Sequence, residues 1–127
     1  MLARRGLVGD QPHVNTASLG ADQRLDAVDV IASPTLCLTP PLMSEVADPE
    51  SHLQVNRRIV RNTVAVNYLG LCAITMPVGR DRAGMPVGLQ LIAPAGAEEK
   101  LLALTHAAER LLGTAADRLG TPPLLGA

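Results

Sequence analysis

Cys72-Ala73-Ile74-Thr75-Met76-Pro77-Val78, then Gly79-Arg80-Asp81-Arg82-Ala83-Gly84, then Met85-Pro86-Val87-Gly88-Leu89-Gln90-Leu91-Ile92-Ala93 is the stretch whose reading decides the fold. Two apolar runs of strand length flank a polar segment with glycine at both ends, the pattern of two strands linked by a turn. Direct pairing as a hairpin is the simplest arrangement, although the spacing does not require it. Both runs stay apolar at successive positions instead of alternating, and such strands are normally central ones covered on both faces by helices. Gln90 is the polar exception in the second run. Hydrogen bonding to backbone within the core is expected of it, ahead of contact with a substrate.

Working outward, Pro49-Glu50-Ser51 opens a helix with a proline and an acid where missing N–H bonds and negative charge cost least. Leu53, Ile59, Val60, Val64 and Leu69 recur near helical spacing, which predicts one helix ended by Gly70. On the other side, Pro94 and Gly96 break the second run. Glu98 and Glu99 then start an amphipathic helix with apolar positions Leu101, Leu102, Leu104, Ala108, Leu111 and Leu112, stopped at Gly113. One more turn is expected over residues 116–119, before Thr121-Pro122-Pro123.

Further upstream, residues 28–32 read as a buried strand stopped by Ser33-Pro34. Pro34, Pro40, Pro41 and Pro49 make the stretch from 34 to 49 an extended loop, since neither a helix nor a central strand tolerates that density. Residues 22–27 suit a short helix, and residues 1–20 lack periodicity and read as an irregular segment. Two substantial helices must therefore cover at least three strands. A sheet left bare on one face would exceed the few hundred Å² of exposed apolar patch that monomers usually carry, so this arithmetic predicts a missing covering layer.

Composition agrees. The 127 residues are 47% hydrophobic, yet Tyr68 is the only aromatic residue. Aromatic side chains bury roughly 150–250 Å² each, and a core without them leans on aliphatic strands that need a second layer. The formal net charge of −1 gives no electrostatic reason to propose nucleic acid or an anionic membrane as partner. Cys37 and Cys72 lack metal-ligand spacing and read as reduced, small buried hydrophobes. Arg4 and Arg5 are not followed by a long apolar run, so a secretory signal is not expected, and no apolar stretch is long enough to span a bilayer. A soluble, cytoplasmic protein is the default.

Catalytic groups are hard to assemble from these residues. There is no phosphate-cradling glycine loop, no HExxH, no GxSxG and no metal-spaced cluster, so neither cofactor nor metal is expected. His13, His52 and His106 are scattered, with His106 on the last long helix. Ser18, Ser33, Ser44 and Ser51 all lie outside any Gly-rich turn that would expose a nucleophile. Lys100, the only lysine, stands beside two glutamates at a helix start, where a solvated surface role is expected. No nucleophile–base pair follows.

One pattern remains. Val28-Asp29-Val30-Ile31 with Pro34-Thr35, then Arg61-Asn62-Thr63, Asn67 and Gly70-Leu71-Cys72-Ala73-Ile74-Thr75-Met76-Pro77-Val78-Gly79, then Gly84-Met85-Pro86-Val87-Gly88-Leu89-Gln90-Leu91-Ile92 resemble, in order and spacing, the last third of amidase-signature enzymes. The likeness covers about residues 26–112. It implies an α/β fold in which the chain forms part of a mixed, twisted sheet with flanking helices. It also implies hydrolysis of the C–N bond of a carboxamide by a Ser–cis-Ser–Lys triad, with backbone N–H groups holding the oxyanion. In that family those groups sit in N-terminal and middle regions, and their Gly/Ser-rich signature is absent from this sequence. The chain alone is therefore expected to be inactive.

On this likeness residues 21–127 are the C-terminal portion of an amidase domain, and Arg61, Asn62, Thr63 and Asn67 are candidates to line or brace the substrate pocket. The competing expectation is that Asn62 and Thr63 only cap and brace a helix end. The partners implied are a small amide substrate in the intact enzyme and an N-terminal amidase half acting in trans, including an amidotransferase A-type arrangement. Self-association through an exposed sheet face, or a non-catalytic binding module, are the alternatives. Ile59-Val60-Arg61-Asn62 lacks the carboxylate that amidotransferases of that type carry near this point, and Cys72 replaces a common proline. Both departures favour a free amidase.

Overall fold

A computed structural model describes residue 25 and residues 27–120. The segment 1–20, with His13 and Ser18, most of the short helix expected at 22–27, and the tail 121–127 lie outside the described residues. The element order is β1 (Ile31–Pro34), a 3-10 turn (Met43–Val46), α1 (Pro49–Ile59), α2 (Arg61–Tyr68), β2 (Cys72–Arg80), β3 (Pro86–Ala93), α3 (Glu98–Leu112) and α4 (Ala115–Leu119). The three strands form one sheet in the order β1-β3-β2, with both pairs antiparallel. Helix and sheet together fit an α/β fragment of the expected kind.

The hairpin expected from the deciding stretch is present. Its turn is built by Asp81, whose Oδ1 accepts from the N–H groups of Ala83 and Met85, both at 2.8 Å. The Asp81 N–H donates to the Met85 carbonyl at 2.9 Å. Gly84 supplies the left-handed residue, with φ of 81°, that the reversal needs. Beyond Pro77↔Gly88 the register shifts to Gly79↔Val87, so Val78 is an extra residue in β2, a bulge that bends the strand.

Strand β3 is the central one, and its paired neighbours define the two faces of the sheet. Leu89, Leu91 and Ala93 share a face with Met76, Ile74 and Cys72. There Leu91, Ala93 and Leu101 of α3 form the core, with Val30, Ile74 and Ala97 packed around them. Gly88, Gln90 and Ile92 point to the opposite face, beside Ser33 and Ile31 of β1. Helix α2 lies on that side, anchored by its one buried residue, Val66. Each face thus has a helix, but the cover is uneven: Ile31, Ala73 and Thr75 stay exposed although the corresponding β3 residues are buried.

Several expectations need correction. Strand β1 begins at Ile31, includes Pro34 and is largely exposed; among the described residues it has a single neighbour, and an edge strand tolerates a residue lacking its N–H. The single helix expected up to Gly70 is two, meeting at Val60, whose φ of −79° and ψ of −7° make a turn. The Arg58 carbonyl, which an uninterrupted helix would offer to the residue four positions on, accepts from the Cys37 thiol at 2.9 Å. Cys37 is exposed, not the buried hydrophobe expected. Cys72 is half-buried, its thiol donating to the Pro94 carbonyl at 2.9 Å. Of the apolar set of α3 only Leu101 is buried, while Leu102, Leu104, Leu111 and Leu112 are exposed. The loop from 34 to 49 is as expected apart from the 3-10 turn, where the Leu42 N–H donates to the Glu45 carboxylate at 2.9 Å.

These contacts have measurable consequences. A Cβ on Gly88 would lie 2.8 Å from Thr35 Oγ1 and 3.1 Å from Thr75 Cγ2, so Gly88→Ala should force the Thr35 and Thr75 side chains apart and lower stability by about 1–3 kcal/mol, read from the shift in urea midpoint. Asp48 caps α1 by accepting from the N–H groups of Glu50 and Ser51. Its carboxyl is held below the ordinary aspartate value, chiefly by hydrogen bonding from Ser51. A depressed folded-state pKa contributes stability above the unfolded value, and that contribution is lost as pH falls through the folded value. Asp48→Ala should therefore lower the urea midpoint at pH 7, with the gap to the unsubstituted chain closing as pH drops below 3.8.

Candidate functional site

The break at Val60 sets where α2 begins, and α2 carries the four residues singled out above. Asn62, half-buried, donates from Nδ2 to the Pro34 carbonyl at 2.7 Å, fastening the helix to the end of β1, 28 positions earlier in the chain. Thr63 donates from Oγ1 to the Val60 carbonyl at 3.1 Å, which also accepts from the Val64 N–H at 2.8 Å. Arg61 is exposed, and so is Asn67 near the end of the helix.

Between α2 and the sheet lies a cleft of about 340 Å³. Arg61, Asn62 and Ser33 supply its polar lining, and Ile31, Val66, Leu69 and Ile92 are prominent in its apolar lining. Arg61 and Asn62 are thus brought together with β1. Thr63 and Asn67 are not part of the lining. Positions 61, 62, 65, 66 and 69 of α2 and its end all face the cleft, the repeat of one helix face, whereas Ile31, Ser33 and Ile92 were not foreseen. Their membership depends on β1 crossing to pair with β3, which no local pattern announces.

Beneath the cleft, Gln90 pairs in register with Ser33 on one side and Thr75 on the other. It is 2% exposed, as expected for a core residue. The expected hydrogen bond is missing at its Nε2, which has no partner among the described residues. One pair along the strands, Thr35 donates to Thr75 Oγ1 at 3.3 Å, across the space that Gly88 leaves open. The α2 side of the sheet therefore carries a polar row, Ser33, Gln90, Thr75 and Thr35, in an otherwise aliphatic sheet.

A second cleft, of about 370 Å³, is lined by Asp29, Lys100, Pro94 and Ala97 among others. Lys100 is half-exposed but not merely solvated: its Nζ binds Asp29 Oδ1 at 2.5 Å. That hydrogen bond, and then the lysine's charge, hold the Asp29 carboxyl below its ordinary value. No serine lines this cleft among the described residues. His52 and His106 are not paired with any acid among the described residues. Among the described residues no group of three or more His, Cys, Asp or Glu side chains could hold a metal ion, and no helix is long and apolar enough to cross a membrane.

A buried hairpin strand flanked by helices, preceded by a Pro-Thr turn tied to a helix start, is the architecture to which the sequence pattern pointed. The Amidase family model matches residues 19–102, so this chain belongs to the amidase family. It is 41% identical over 105 residues to 2-amino-5-chloromuconic acid deaminase of Comamonas testosteroni, covering 83% of this chain and 23% of that protein. It is 45% identical over 86 residues to fatty acid amide hydrolase of Oryza sativa subsp. indica, covering 66% of this chain and 14% of that protein. The A-type component of the glutamyl-tRNA(Gln) amidotransferase of Methylacidiphilum infernorum is 47% identical over 51 residues, which is 40% of this chain and 10% of that protein. The chain thus spans less than a quarter of the length of these relatives.

A buried amide nitrogen without an acceptor costs about 1–3 kcal/mol. Gln90→Met keeps the length of the side chain and removes that donor. It should leave the chain folded and raise its urea midpoint, whereas a lower midpoint would mean that the amide is satisfied within the chain.

Proposed function

We propose that residues 21–127 form the C-terminal sheet segment of an amidase-type hydrolase that cleaves the C–N bond of a carboxamide. The observation that carries this reading is the family match across residues 19–102, which takes in all three strands. The name of one relative, fatty acid amide hydrolase, points the same way.

On this reading the chain contributes scaffold and pocket wall, not chemistry. The sequence holds no Gly/Ser-rich stretch to present a nucleophile, and its one lysine is paired with Asp29. A positioned general base alone contributes about 10²- to 10⁴-fold to rate, so a chain without nucleophile and base should not turn over amides. Arg61 and Asn62 would line the substrate pocket. Thr63 and Asn67 would act from behind it, Thr63 by keeping the Val60 turn in place. Asn62 would act partly through Pro34, since its hydrogen bond sets the distance between α2 and β1.

A second reading has the segment completed in trans by a separate polypeptide carrying the serines and lysine, as in an amidotransferase A-type arrangement. The amidotransferase component found among the relatives and the uneven cover of the sheet favour it. A cytoplasmic setting would suit both readings.

A chimera tests the proposal. Residues 21–127 replace the matching segment of the Comamonas deaminase, and ammonia release from that enzyme's substrate and from simple carboxamides is followed. The chimera should fold and release ammonia, and the 127-residue chain alone should release none. Activity from the isolated chain, or a folded chimera devoid of activity, would sink the assignment. Mixing the separately purified parts reports on completion in trans, by recovery of activity.

A further inference from the structure

We propose that the cleft between α2 and the β1–β3 pair takes a small carboxylate with an apolar body, and that Arg61 is the residue that selects its charge. This deepens the pocket-wall reading above, on which it rests for the idea that the cleft opens toward substrate. Two observations carry it.

The first is shape and lining. At about 340 Å³ the cleft falls within the range of roughly 300–1,000 Å³ typical of small-molecule sites. Val66, Leu69, Leu71 and Ile92 give it an aliphatic floor. Such a floor holds a short hydrocarbon body and offers little to a strongly hydrated inorganic anion.

The second is charge. Arg57, Arg58 and Arg61 cluster around the α1–α2 break. The one ion pair among the described residues, Lys100 with Asp29, lies elsewhere. The acids nearest in sequence, Asp48 and Glu50, are at the far end of α1. Asp48 is engaged as its cap, and Glu50 accepts from Gln54. Arg61 is the one charged residue among those that line the cleft. A cationic ligand is repelled there, and a neutral one gains nothing from the guanidinium's charge. A carboxylate gives the guanidinium fork the two oxygens that it binds side by side.

The experiment is a titration of the isotope-labelled 127-residue chain with sorbate, an unsaturated aliphatic carboxylate, and with its neutral amide. The methyl signals of Leu69, Leu71 and Ile92 are followed by NMR. Sorbate should shift them saturably, and Arg61→Gln should weaken its binding about tenfold or more, the loss of a charge-assisted pair. Arg61→Lys should recover part of that loss, and the neutral amide should bind the unsubstituted chain no better than sorbate binds the Gln variant. Raising the salt concentration should weaken sorbate but not the amide. Because the Arg61 side chain is exposed, the backbone spectrum of both variants should match that of the unsubstituted chain outside the cleft. Equal affinity for acid and amide, unchanged affinity in Arg61→Gln, or no saturable shift at these methyls would each overturn the assignment. None of those outcomes bears on ammonia release by the chimera, so failure here and failure of the amidase reading are separately visible.

Discussion

Strand β3 accepts a hydrogen-bonded neighbour on each edge and a helix over each face, and these demands place nearly everything else. Its pairing with β2 comes without long-range cost, since the Asp81 turn brings the two strands together locally. Pairing with β1 is more expensive, because it closes a long loop that includes both α1 and α2. That closure is held by a small set of contacts around one position. Gly88 lets Thr35 and Thr75 meet over the middle strand, the Thr35 N–H donates to the Gly88 carbonyl at 2.9 Å, and Asn62 fastens α2 to Pro34 one residue earlier. A side chain at Gly88 would disturb the place where loop, helix and sheet converge.

The local half of this arrangement was legible in the residues. Unbroken apolar runs with a glycine-flanked polar link define the hairpin, and the acid-first amphipathic pattern defines α3. The stop at Gly113 was legible for the same reason: its φ of 87° is a backbone state that glycine adopts freely. Non-local features misled. Residues 28–32 look like a buried strand because Val28, Val30 and Ile31 are apolar, yet the actual strand lies at the sheet edge and shifts onto Pro34. The helix break at Val60 has no proline or glycine to announce it. It coincides with a thiol far upstream, that of Cys37, engaging the Arg58 carbonyl, which a windowed periodicity cannot register.

The candidate site divides along the same line. Arg61 and Asn62 could be singled out because they stand together at a helix start within a recognisable family pattern, and the cleft brings them together with β1. Thr63 and Asn67 belong to the same pattern but serve the backbone or face outward, since a helix presents only one side to the sheet. The strand half of the cleft was beyond reach without the register of β1 against β3. Gln90 drew notice as a polar residue in an apolar strand. That its nitrogen lacks an acceptor is a property of the packed sheet alone.

The bulge at Val78 bears on how the molecule behaves among its own copies. Among the described residues β2 has one strand neighbour, and a nine-residue strand with a free side is a template onto which another chain can add. The extra residue divides that template into a segment ending at Pro77 and a short remainder beyond it. A straight incoming strand can match the first or the second but not both in one register. Pro77 removes one donor from the longer piece as well. The irregularity that bends the hairpin therefore also discourages stacking of sheets edge to edge, a form of protection against fibrous aggregation written into the strand itself.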